Sequence, residues 1–197
     1  MKKYAMLFLL LLTCSAYAQD APPVGDYGTR NDIFGAPAFE FSQINGEFAF
    51  LAGGRFGWII NHQYVIGAEG YWLANDVPGP STSSGQKPDL AMGFGGLTLE
   101  YIISPYNAVH FSVSNLIGLG AVRYDYIAAD DNDDTYWVDE PMLNVYFRIT
   151  EYFKIGVGVG YRYVADVDLE RLENEDLSGF VGKISLNFGT YGKTLIP

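Results

Sequence analysis

The sequence predicts an all-β chain, an eight-stranded antiparallel up-and-down transmembrane β-barrel with short periplasmic turns and longer external loops. Three observations carry this. The first is strict alternation in segments too long for ordinary surface strands. In the segment 152–164, Phe153, Ile155, Val157, Val159, Tyr161 and Tyr163 share one face. Lys154, Gly156, Gly158, Gly160 and Arg162 share the other. Successive strand residues point to opposite sides, so this is a period-two pattern with one wholly apolar face. Glycine weakens a solvated strand face and packs nothing there, but it suits a crowded lumen. The apolar face is therefore expected to meet lipid and the glycine and charge to point inward. The second observation is the order of connections, which from the second strand onward runs tight, long, tight, long, tight, long. The third is that no internal apolar run approaches the ~20 residues a helix needs to cross a bilayer.

The elements follow in order. Lys2 and Lys3, the apolar stretch AMLFLLLL and Ala16-Tyr17-Ala18 read as a signal peptide over residues 1–18, cleaved before Gln19. Cys14 lies inside it, and Thr13 sits where a lipoprotein box carries a small residue. The exported chain would then hold no disulfide. Residues 19–32 have Pro, Gly and polar residues without a period and read as a periplasmic leader. The barrel is expected over 33–190, with a tail over 191–197.

The first strand is read at 37–44, closed by Asn45-Gly46, a strong two-residue hairpin signal. The second, 47–60, carries Phe48, Phe50, Phe56 and Trp58 against Glu47, Gly53, Arg55 and Gly57. Asn61-His62 turns into the third, 63–74, where Glu69 shares a face with Gly67 and Tyr71. Residues 75–88 contain PGPSTSSG and read as a loop. The fourth strand, 90–103, sets Leu97, Leu99 and Tyr101 against Gly96, Thr98 and Glu100. After a turn at Pro105-Tyr106-Asn107, the fifth, 108–124, sets Val109, Phe111, Val113, Ile117 and Leu119 against His110, Ser112, Ser114 and Gly118, with Asn115 interrupting the apolar face. Residues 127–140 read as an acidic loop. The sixth strand, 142–149, sets Leu143, Val145 and Phe147 against Asn144, Tyr146 and Arg148. Thr150-Glu151 turns into the seventh, already described. Residues 166–176 form a further acidic loop, and the eighth strand, 177–189, sets Phe180, Ile184 and Phe188 against Val181, Lys183, Ser185 and Asn187.

This pattern resembles the small eight-stranded outer-membrane barrels of Gram-negative bacteria, the group of OmpX, OmpW and the OmpA transmembrane domain. More narrowly, LTLEYIISP, AVHFSVSNLIGLGAVRY and GVGYRYVADVDLERLENEDLSGF resemble a set of proteins described only as outer-membrane barrels. The resemblance implies a location in the bacterial outer membrane, contact with its lipid and lipopolysaccharide, and insertion by the barrel-assembly machinery. It implies no reaction. Such barrels commonly end in an aromatic residue, whereas here Phe188 is followed by GTYGKTLIP.

Composition narrows function. Cleavage removes Lys2 and Lys3 and moves the net charge from -11 to -13, which repels nucleic acid phosphates. Aromatic residues make up 16% of the chain, which suits girdles at two membrane interfaces. The inward face collects Glu47, Glu69 and Glu100 with Arg55, Arg148, Lys154, Arg162 and Lys183. In so narrow a lumen these charges must pair. They read as an ion-pair network that plugs the barrel, with a narrow polar conduit as the alternative. His110-Phe111-Ser112 resembles the His-x-Ser pair of the lipid A deacylase barrel, where histidine would activate serine. It lies near a periplasmic turn and on the inward face, out of reach of outer-leaflet lipid, so no catalytic residue is assigned. Asp130, Asp131, Asn132, Asp133 and Asp134 offer oxygen ligands for a weakly held divalent cation, without the glycine and distal glutamate of an EF-hand. Asp166, Asp168, Glu170, Glu173, Glu175 and Asp176 form a similar group. No cofactor motif is present. The expectation is a packed barrel presenting acidic loops, with a small porin, a lipid-modifying enzyme and a soluble lipocalin-type barrel as rivals.

Overall fold

The computed structural model describes residues 31–81, 87–125 and 133–191. The predicted signal peptide, Cys14, most of the predicted leader, Asp130, Asp131 and Asn132, and the tail beyond Tyr191 lie outside the described residues.

Eight strands each pair with their chain neighbours, and the last returns to the first to close the barrel. They are β1 (Asn31–Ile44), β2 (Glu47–Ile60), β3 (Tyr64–Leu73), β4 (Leu90–Ile103), β5 (Val109–Tyr124), β6 (Asp133–Arg148), β7 (Phe153–Ala165) and β8 (Gly179–Gly189). A one-turn helix, α1 (Asn174–Leu177), precedes β8. All pairs are antiparallel, and β1 meets β8 with Phe39 opposite Ile184 and Glu40 opposite Lys183. Closure removes every sheet edge, so no row of backbone donors and acceptors faces the surroundings.

The alternation read in the sequence decides what faces where. Trp58, Trp72, Leu97, Leu99, Leu119, Leu143, Val159 and Phe180 all point outward and are exposed, Phe180 by 83%. Such an apolar belt far exceeds the patches that soluble proteins leave in water. The reversed faces of a lipocalin-type barrel are thereby excluded. Aromatic pairs border the belt: Tyr64 with Tyr101 at the end of the tight turns, Tyr161 with Phe180 and Phe41 with Phe48 at the end of the long loops. We call these the turn end and the loop end.

The hairpin between β1 and β2 is as tight as its Asn-Gly pair predicts, with Asn45 and Gly46 both at positive φ. It opens at the loop end yet is not isolated there. The Asn45 backbone N–H donates to Asp176 O (2.7 Å) and its side chain to Pro78 O (2.8 Å).

Three boundaries differ from the sequence reading by more than one residue. β1 begins at Asn31, so the barrel takes up the end of the predicted leader. There Phe34 and Ala36 point inward and Ile33 outward, so both faces are apolar and the period-two signal is blurred. β6 begins at Asp133, inside the predicted acidic loop. Tyr136, Val138 and Glu140 point inward while Trp137 points outward, an alternation that the acidic composition masked. β8 begins at Gly179, because Leu177 is drawn into α1 and fully buried there.

Candidate functional site

The lumen is built in layers. At the loop end Ile44, Leu51, Val77, Leu90, Val122 and Tyr136 join Leu169, Leu172 and Leu177 in a buried apolar cluster. Three of these come from the β7–β8 connection, which therefore folds over the mouth. Tyr124 Oη donates to Glu170 O, and Arg171 Nη1 to Ser81 O (2.8 Å), tying separate loops into one lid.

Below the lid lies a charge cluster. Arg162 is fully buried and reaches Glu140 through Nε (2.9 Å) and Glu40 through Nη2. Its guanidinium lies 4.4 Å from the centre of the Phe94 ring. Lys183 Nζ stands between three carboxylates: Glu69 at 2.9 Å, Glu40 at 3.4 Å and Glu140 at 3.8 Å. Tyr71 Oη also donates to Glu69 (2.7 Å). Arg55 continues the chain, with Nε 3.1 Å from Glu69 and Nη2 2.6 Å from Glu100, and it donates to Tyr146 Oη through Nη1. Glu100 takes a hydrogen bond from Ser112 Oγ, and Asn144 bridges Ser112 (3.2 Å) and Ser114 (3.0 Å). A removed charge would leave its partners unpaired in a buried interior, so the cluster is cooperative.

The glycines do not leave this interior open. A Cβ on Gly120 would fall 2.2 Å from the Tyr136 ring, and one on Gly156 would fall 2.5 Å from Ser185 Oγ and 2.7 Å from the Tyr146 ring. On Gly158 it would meet Asn144 Oδ1 at 2.3 Å. The glycine face of β7 is thus covered by large side chains from its neighbours.

Of the residues singled out in the sequence, the structure gathers Arg55, Glu69, Glu100, Arg162 and Lys183. It separates the other three. Glu47 is exposed, because it stands beside the hairpin tip and rises above the lumen rim. Arg148 sits at the turn end, where Nη2 donates to Pro105 O (2.8 Å). Lys154 is buried, but no carboxylate among the described residues lies within ion-pairing distance of it, and its ammonium rests 3.7 Å over the Tyr191 ring. Two members were missed. Glu40 lies on the inward face of β1 with Ala38 and Ser42, a signal that the alternation of 38–42 contains. Glu140 was hidden in the segment read as a loop.

His110 and Ser112 do not form a nucleophile pair. His110 stacks on Tyr146 (5.4 Å) with Nδ1 3.3 Å from Asn107 O, while Ser112 gives its proton to Glu100. His62 Nδ1 lies 3.3 Å from Asp32 Oδ2. Among the described residues, no group of three or more acidic, His or Cys side chains converges as a metal site. Asp134 instead accepts the Asp168 backbone N–H (2.6 Å), linking two loops.

No family model and no curated protein matches the sequence. Solved structures do match the fold. Neisserial surface protein A superposes with a TM-score of 0.60 at 15% identity, over 84% of this chain and 99% of that one. The fold is that of the small outer-membrane barrels. The N-terminal barrel of Pseudomonas aeruginosa OprF gives 0.55 at 12% identity, over 82% and 99%. P. aeruginosa outer membrane protein OprG gives 0.51 at 11%, over 82% and 96%. An outer-membrane barrel of this size has an interior that side chains can fill, as they do here.

Proposed function

We propose that this chain is an outer-membrane barrel that is closed to solutes and works at its outer surface. The turn end would face the periplasm and the loop end the exterior, as short turns and long loops do in such barrels. One observation carries the reading: the fully buried Arg162, locked between Glu40 and Glu140, blocks the lumen directly beneath an apolar lid. What remains available is the outer rim, where Asp133, Asp166, Asp168, Glu173 and Glu175 bring negative charge. That rim matches divalent cations bridging to lipopolysaccharide phosphates, or a basic partner surface. One structural neighbour is itself named a surface protein. We assign no catalysis, because the Ser112 hydroxyl proton is committed to Glu100 and both are walled from lipid.

Planar-bilayer conductance of the detergent-refolded barrel tests this, with folding confirmed by heat-modifiable gel mobility. Silence from folded protein is the expected result. Reproducible single-channel steps would instead establish a small porin, with the charge cluster as its selectivity element.

A further inference from the structure

The outward face of the barrel is apolar along most of its strands, and the charged and amide side chains that do face outward sit beside strand ends, with one exception. Asn115 and Asp139 point outward well inside β5 and β6. Asn115 stands between the exposed Val113 and Ile117, and Asp139 lies on the face of the exposed Trp137 and Leu143. Asn115 Nδ2 donates to Asp139 Oδ1 (2.7 Å). Among the described residues, that amide is the carboxylate's one hydrogen-bond or ion-pair partner. A carboxylate on the lipid-facing wall is unfavourable. A single amide leaves most of its acceptor capacity unused.

The surroundings are aromatic. Tyr163 stands directly opposite Asp139 across β6 and β7, and Trp137 lies on the same face of β6, nearer the loop end. Both rings are about half exposed, and Tyr161 packs beside Tyr163 with ring centres 4.5 Å apart. Tyr163 is close to the end of β7, so the polar pair sits at the level of the loop-end girdle rather than in the middle of the belt. Acceptors set between aromatic rings suit a sugar. Its hydroxyls donate to the carboxylate, and its apolar C–H faces rest on the rings. An acyl chain offers no donor, and a phosphate is repelled.

We propose that Asp139, Asn115, Trp137 and Tyr163 form a docking surface for the sugar headgroup of an outer-leaflet glycolipid, with Asp139 accepting from its hydroxyls. The assignment to the outer leaflet rests on the loop end facing the exterior. Sugar binding itself does not depend on whether the lumen conducts, so its failure and that of the closed-barrel reading are told apart.

Trp137 is its own reporter. With Trp58→Phe and Trp72→Phe it is the one tryptophan left, since the chain has three. Lipids brominated in the acyl chain quench tryptophan on contact. The barrel is refolded into bilayers of brominated phosphatidylcholine, and unbrominated monoglucosyl diacylglycerol is titrated in. The glycolipid is expected to relieve quenching about tenfold more effectively than unbrominated phosphatidylcholine, as for one hydrogen bond to a charged group. A barrel keeping Trp72 alone is expected to show no preference, because Trp72 is exposed near the loop end between Ala52 and Gly93, without a polar pair. Asp139→Leu places an apolar side chain against lipid and is expected to fold and to abolish the preference at Trp137. The proposal is overturned if Trp137 and Trp72 report the same relative affinity, or if Asp139→Leu keeps the preference. It is also overturned if neither lipid reaches Trp137, as when a second copy of the chain covers that face. Should Asp139→Leu not refold, the comparison of Trp137 with Trp72 leaves the site intact and decides the matter.

Discussion

Arg162 gathers what Glu40 and Glu140 would otherwise leave unbalanced. Four carboxylates (Glu40, Glu69, Glu100, Glu140) face three cations (Arg55, Arg162, Lys183) within one connected cluster. Replacing Arg162 by Met deletes the cation that holds both Glu40 and Glu140. Breaking a buried pair on one side typically costs about 3–5 kcal/mol. Arg162→Met is expected to lower the unfolding free energy of the refolded barrel, read from its urea curve, by that order. The triple change Glu40→Gln, Glu140→Gln, Arg162→Met is expected to recover most of it, since no partner is then left charged and alone. If the single and triple variants unfold at the same midpoint, the loss is one of packing rather than charge. Leu177 tests the lid in the same way. It is fully buried in α1, and Leu177→Ala is expected to cost about 2–5 kcal/mol, read from the same unfolding curve.

The strands show where a period is readable and where it fails. The bounds of β2 and β4 were legible to the residue, and β7 nearly so because bulky apolar groups alternate there with glycine and charge; the first half of β4 was ambiguous in phase, since Leu90, Met92 and Phe94 point inward. The start of β1 was not, since its inward Phe34 and Ala36 are as apolar as its outward neighbours. The start of β6 failed for the opposite reason: Asp133, Asp134, Asp139 and Glu140 gave it a loop's composition while Tyr136 and Val138 kept a strand's alternation. That error hid Glu140 and so half of the Arg162 clamp. Pairing of charges across the lumen joins strands far apart in the chain, and no local pattern specifies it. β4 and β5 add a constraint of their own. Gly96 stands opposite Gly118, and a Cβ on Gly118 would fall 2.1 Å from Gly95 O. Gly118→Ala must push backbone apart and is expected to destabilise by about 1–3 kcal/mol in a urea titration. Gly182→Ala, whose nearest contact would be 3.9 Å away, is expected to be silent.

For the whole molecule, lid and charge cluster are two seals in series. Changing Leu169, Leu172 and Leu177 together to Ser is expected to open the mouth yet leave bilayers silent, because the Arg162 cluster still fills the lumen below. Steps in that variant would mean that the lid alone closes the barrel. The cluster also bears on how the sheet comes to close correctly. Alternation of faces forbids a strand from slipping by one residue, since that would turn its apolar side inward. It does not forbid a slip by two, which keeps every face correct. Glu40 opposite Lys183, Arg55 opposite Glu69, and Arg162 clamped by Glu140 do forbid it. A two-residue offset at the β1–β8, β2–β3 or β6–β7 seam would strand one of these charges in the buried interior. The ionic cluster therefore acts as a proofreading key for strand registration during insertion, and a barrel stripped of it would be expected to yield a mixture of closed but misaligned forms.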